Sequence, residues 1–106
     1  MTPIRIVIAD DHPIFRAGLL GLLSDQEDFQ VVGEAANGRE AVQVVRHAAP
    51  DVLLVDLQMP ELDGLHAIRQ IRELAPGTRI LVLTTYDSDG DILRAVEAGA
   101  TGYLLK

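Results

Sequence analysis

Five short apolar runs recur along this chain: "IRIVIA" (Ile4–Ala9), "FQVVGEA" (Phe29–Ala35), "VLLVD" (Val52–Asp56), "RILVLTT" (Arg79–Thr85) and "GYLLK" (Gly102–Lys106). Four of the five are apolar on both faces, which suits strands of a parallel sheet covered on both sides. The stretches between them, roughly Pro13–Leu23, Gly38–Ala49, Gly64–Ala75 and Asp89–Ala98, have helical spacing. Alternation of strand and helix leads to a doubly wound α/β domain with a five-stranded sheet. The punctuation agrees. Asn37 with Glu40 makes a capping box, Ser88 with Asp91 offers another, and Pro76–Gly77 stops the third helix. No linker, repeat or low-complexity tract interrupts, so residues 1–106 read as one domain.

Composition removes several function classes. The chain has no cysteine, which excludes a disulfide framework and a thiolate metal site. No run reaches membrane-spanning length, and "MTPIRIVIADD" lacks the apolar stretch of a signal peptide, so a cytoplasmic protein is expected. Net charge is −7, and the arginines are scattered singly, so this segment carries no electrostatic footprint for nucleic acid. Lys106 is the sole lysine.

In such sheets the ligand crevice lies beyond the carboxyl ends of the strands, where strand order reverses. With the order 2-1-3-4-5, a common one for this architecture, that point falls between the first and third strands. The first strand ends in Asp10–Asp11, the third in Asp56, the fourth in Thr84–Thr85 and the fifth in Lys106. Taken singly, each has a plain structural use: an Asp as a turn or cap residue, Thr84 as a β-branched strand residue, Lys106 as a solvated tail. Together they are a constellation. Three carboxylates brought to one point repel one another unless a cation neutralises them. A hard, oxygen-liganded ion such as Mg²⁺ suits a site with few protein ligands. A direct phosphate site would use glycine-rich amides and positive charge instead. Asp56, ending an apolar strand beside such an ion, is placed as a nucleophile toward phosphorus, giving an aspartyl phosphate. Lys106 and the Thr84 hydroxyl are then candidates to neutralise the phosphoryl oxygens.

The stretches "VIADDHPIFRAGL", "VGEAANGREAV", "PDVLLVDLQMPELDG", "ILVLTTYD" and "EAGATGYLLK" resemble the CheY-like receiver domain of two-component response regulators, nearest the NarL/LuxR-type subfamily with a helix-turn-helix output domain. The resemblance covers essentially the whole chain and implies the same 2-1-3-4-5 sheet, flavodoxin-like in its order. It implies Asp56 as phosphoacceptor, Asp11 as a direct Mg²⁺ ligand, Asp10 as a ligand mainly through water, and the Gln58 main-chain carbonyl as the third protein ligand. Thr84 and Tyr103 match the switch pair, Lys106 the phosphate-binding lysine and Pro60 the loop proline. Side chains at Gln58 and Tyr86 match positions that set phosphoryl lifetime. Implied partners are a sensor histidine kinase, a second copy of the chain on phosphorylation, and DNA only through an output domain, with no membrane contact. Such a domain is a signalling module that catalyses only its own aspartyl phosphorylation and dephosphorylation. Family members continue past the lysine into a fifth helix, so the domain is expected to be C-terminally incomplete here. One helix against three would leave strands three to five bare on one face, which points to a further amphipathic helix or a partner chain.

Three other functions fit less well. A haloacid-dehalogenase-type phosphatase has a second Asp two residues after its nucleophile, where this chain has Gln58. A flavodoxin-like electron carrier needs a Ser/Thr/Gly phosphate loop, and "DDHP" is its electrostatic opposite. An unphosphorylated interaction module would lack part of the constellation. Among the remaining features, His12 beside the acidic pair reads as a helix cap ahead of Pro13 rather than a transition-metal ligand. His47 and His66 read as surface residues. "DSDGD" (Asp87–Asp91) fails as a calcium loop because Ile92 and Ala98 stand where glycine and glutamate are needed. It reads instead as a weak helix start after the fourth strand.

Overall fold

The alternation is realised along the chain as β1 (Ile4–Ala9), α1 (Pro13–Ser24), β2 (Phe29–Ala35), α2 (Gly38–Ala48), β3 (Val52–Asp56), α3 (Gly64–Leu74), β4 (Arg79–Thr84), α4 (Asp89–Ala98) and β5 (Gly102–Leu105). These elements come from a computed structural model that describes residues 2–57, 64–84 and 89–105. All strand pairs are parallel and the order is β2-β1-β3-β4-β5. Among the described residues no helix is long and apolar enough to cross a membrane.

Period-two alternation divides the central strands between two cores. Val7 and Ala9 of β1, Leu53 and Val55 of β3, and Ile80 and Val82 of β4 turn one way. They meet Ala41, Val42 and Val45 of α2, Ala67, Ile68 and Ile71 of α3, and Ala95 of α4. The opposite face carries Ile6, Ile8, Leu54 and Leu83, with Phe15, Leu19, Leu20 and Leu23 of α1 packed against it. Right-handed crossovers require this division, because α1 connects strands running one way across the sheet and the later helices connect strands running the other. The bare area on the α1 face is narrower than coverage by one helix suggests. Leu54 and Leu83 are buried there, whereas Leu104 of β5 and Ile14 and Leu22 of α1 are exposed.

Local chemistry sets the element ends. Asn37 Oδ1 accepts from the Glu40 N–H at 2.8 Å, and Glu40 Oε1 accepts in return from the Ala36 N–H at 2.8 Å. The reciprocal cap thus closes one residue earlier than the usual box. α2 ends on Ala49 in the left-handed region at φ 47°, where glycine is commoner, and Pro50 prevents continuation. The second cap read from the sequence involves Ser88, which lies outside the described residues.

At the amino ends of the strands, Asp51 Oδ2 accepts from the Arg5 N–H at 2.9 Å and the buried Thr78 hydroxyl donates to the Pro50 carbonyl at 2.8 Å. Those bonds tie β1, β3 and β4 at the end of the sheet away from the acids. The register also sets up the other end. Ala9 pairs with Val55, so Asp10 and Asp56 follow in step on neighbouring strands. Asp56 pairs with Leu83, and Thr84 with Leu105, directly before Lys106.

Candidate functional site

β1 leaves the sheet at Asp10, whose N–H still donates to the Ala35 carbonyl of β2 at 3.0 Å. That bond carries the sheet ladder one step beyond the strand and fixes Asp10, which is fully buried. The chain then folds back. The His12 N–H donates to Asp10 Oδ1 at 2.8 Å, and Pro13 opens α1 with its preset φ. Arg16, one turn into α1, donates from Nη1 to the Asp10 carbonyl at 2.6 Å and from Nε to Glu34 Oε1 at 3.2 Å. The guanidinium therefore braces the β1–α1 turn against β2.

Asp56 is 5% exposed at the end of β3. Asp10, Asp11, His12 and Asp56 each offer a ligand atom, and these atoms all lie within 4.8 Å of one another. Asp11 Oδ1 is enclosed without a hydrogen-bond partner among the described residues. Burial of a carboxylate oxygen without a donor is costly, and a divalent cation is the partner that would satisfy it and offset the repulsion among three acids. An all-oxygen set of carboxylates fits Mg²⁺ in charge and hardness. The residues present fit the ion that the sequence suggests.

His12 is the N-cap residue of α1, as the sequence reads. Its backbone caps α1, but its side chain makes no capping bond. The ring instead turns to the acids, placing Nδ1 2.9 Å from Asp10 Oδ1, 3.2 Å from Asp11 Oδ1 and 3.5 Å from Asp56 Oδ2. The signal was its position between an acidic pair and a proline, which fixes the turn that aims it. His47 and His66 are exposed, as read. Tyr103 lies on β5 in register with Val82 and is half exposed. Gln58, Pro60, Tyr86, Lys106 and the Thr84 side chain lie outside the described residues, as does Asp87–Ser88 of the loop after β4.

A sequence model of the response regulator receiver domain matches residues 6–106. The chain belongs to that family. The transcriptional regulatory protein YhcZ of Bacillus subtilis is 47% identical over 102 residues, spanning 96% of this receiver domain and 48% of the relative. The response regulator protein VraR of Staphylococcus aureus is 40% identical over 103 residues, spanning 97% and 49%. The receiver domain thus spans about half the length of the curated relatives it matches. Among solved structures, the signal receiver domain of NarL from Mycobacterium tuberculosis superposes with a TM-score of 0.93 at 36% identity, over 99% of this chain and 85% of that one. A LuxR-family response regulator from Aurantimonas gives 0.91 at 39% identity, over 99% and 75%. The fold and the NarL/LuxR-type kinship of this receiver domain are established by these matches.

Proposed function

We propose that this receiver domain accepts a phosphoryl group on Asp56 from a sensor histidine kinase, in a Mg²⁺-dependent reaction, and thereby controls a DNA-binding transcriptional output. The observation that supports this reading most strongly is the convergence of Asp10, Asp11 and Asp56 at the carboxyl ends of β1 and β3. On this reading Asp11, Asp56 and the Gln58 carbonyl would hold the ion, and Asp10 would do so mainly through water. Mg²⁺ supplies neutralisation of the phosphoryl oxygens and of the carboxylates around them.

The Asp56 oxygen forms an O–P bond while the P–N bond to the kinase imidazole breaks, and that electron pair stays with the nitrogen. Lys106 pairs with a second phosphoryl oxygen, and the Thr84 hydroxyl donates to a third. Burial of Asp56 in a strand end fixes its direction of approach. Attack of water on phosphorus later returns the carboxylate and releases inorganic phosphate, which makes the domain its own phosphatase. Drawing Thr84 inward vacates space for the Tyr103 ring, which shifts α4 and β5 toward the form that dimerises. The whole protein acts in the cytoplasm, and DNA is contacted by the output domain alone, consistent with the receiver's net charge of −7.

Intact-mass measurement of the full-length protein with acetyl phosphate tests this. One added phosphate is expected with Mg²⁺, none in EDTA, and none in Asp56→Asn. Labelling that persists in Asp56→Asn or without metal contradicts the assignment.

A further inference from the structure

Resting on the cation site just described, we propose that His12 is an additional protein ligand there and that its nitrogen tilts the site from Mg²⁺ toward first-row transition dications such as Mn²⁺. His12 stands outside the residues that the family resemblance assigns to the ion. Its Nδ1 lies 2.9, 3.2 and 3.5 Å from oxygens of Asp10, Asp11 and Asp56. Donors about 2.1 Å from an octahedral ion lie about 3.0 Å from their adjacent neighbours and about 4.2 Å from the donor opposite. Nδ1 therefore sits near adjacent-donor spacing from Asp11 and Asp56, the two acids read as direct ligands, and the whole set spans no more than 4.8 Å.

The placement is built into the turn. The His12 N–H to Asp10 Oδ1 bond folds the chain back, Pro13 fixes the start of α1, and the ring makes no capping bond that would hold it elsewhere. Its side chain is 60% exposed, and the 2.9 Å hydrogen bond between Nδ1 and Asp10 Oδ1 holds the ring toward the acids, a contact that ligation would replace. Coordination uses the Nδ1 lone pair with the proton on Nε2. Carboxylate oxygens serve Mg²⁺ and Mn²⁺ alike, whereas an imidazole nitrogen adds affinity for transition ions and little for Mg²⁺. The consequence is a receiver loaded by Mn²⁺ at concentrations at which an all-oxygen site would hold Mg²⁺.

Electron spin-echo envelope modulation of Mn²⁺ bound to the full-length protein reads nitrogen ligation directly. The native protein should show nitrogen modulation that changes when its histidines carry the heavy isotope, a comparison that needs no variant. His12→Ala should lose the modulation and bind Mn²⁺ about tenfold more weakly, with Mg²⁺ affinity, measured by competition, changed less than about threefold. Mn²⁺ that binds without nitrogen modulation, but is weakened by Asp56→Asn, overturns the His12 assignment and leaves the phosphoryl reading standing. Mn²⁺ and Mg²⁺ binding untouched by both Asp11→Asn and Asp56→Asn places the cation elsewhere and overturns both.

Discussion

Asp10 and Asp11 are neighbours in sequence with different physical situations. Asp10 is fully buried and its Oδ1 holds the β1–α1 turn, whereas Asp11 is about one-third exposed and its Oδ1, 3.2 Å from His12 Nδ1, has no hydrogen-bond donor among the described residues. Asp11 therefore contributes charge to the cluster with little structural return. Asp11→Asn should stabilise the metal-free protein by about 0.5–1 kcal/mol, the usual sign when a functional charge is removed from a repelling group. Thermal unfolding in EDTA and in Mg²⁺ checks this. Mg²⁺ should raise the native midpoint more than the variant's, and a variant destabilised under both conditions would contradict the account. Ala49 is a second case. It holds a left-handed backbone at φ 47° without the freedom of glycine. Relief of that strain exceeds the added chain entropy, so Ala49→Gly should stabilise by about 0.5–1 kcal/mol in denaturant unfolding.

Among the elements, the edge strand β2 departs most from a regular ladder. The register against β1 slips between Ile6 and Val7, so Val32 is the extra residue and Gly33 stands opposite Val7. A Cβ on Gly33 would lie 2.5 Å from Val44 Cγ1, which shows how closely α2 approaches the strand there. Gly33→Ala should cost about 1–3 kcal/mol through overpacking, seen as a lower urea midpoint with unchanged slope. The link between β4 and β5 belongs to the proposed switch. Thr84→Ala should leave acetyl-phosphate labelling of Asp56 largely intact while abolishing phosphorylation-dependent dimerisation in sedimentation, and a variant that dimerises normally removes Thr84 from that role.

The strands were legible because runs such as "VLLV" and "RILVL" are apolar on both sides, and α2 because Asn37 and Glu40 announce its start. The slip at Val32 was not, since no period-two pattern in "FQVVGEA" marks an inserted residue. The direction of the His12 ring was not either. The local sequence marks the cap, and only the approach of Asp56 from another strand shows that the ring also lies among the acids.

At the scale of the whole molecule, the two ends of the sheet do different work. Neutral and charged hydrogen bonds from Arg5, Asp51 and Thr78 latch the amino ends, whereas the carboxyl ends gather Asp10, Asp11 and Asp56 in mutual repulsion. A fold tolerates such a concentration of like charge where function uses it. That meeting of β1 and β3 followed from topology, because reversal of strand order puts their ends side by side. The chemical role of each acid is a further step, and three carboxylates within 4.8 Å offer three possible acceptors. Reduction of the phosphorylated full-length protein with borohydride, followed by peptide mass spectrometry, discriminates among them, since an aspartyl phosphate is converted to homoserine at the residue that carried it. The account predicts homoserine at position 56 alone. Homoserine at position 10 or 11, or none in a protein that carries phosphate, would contradict it.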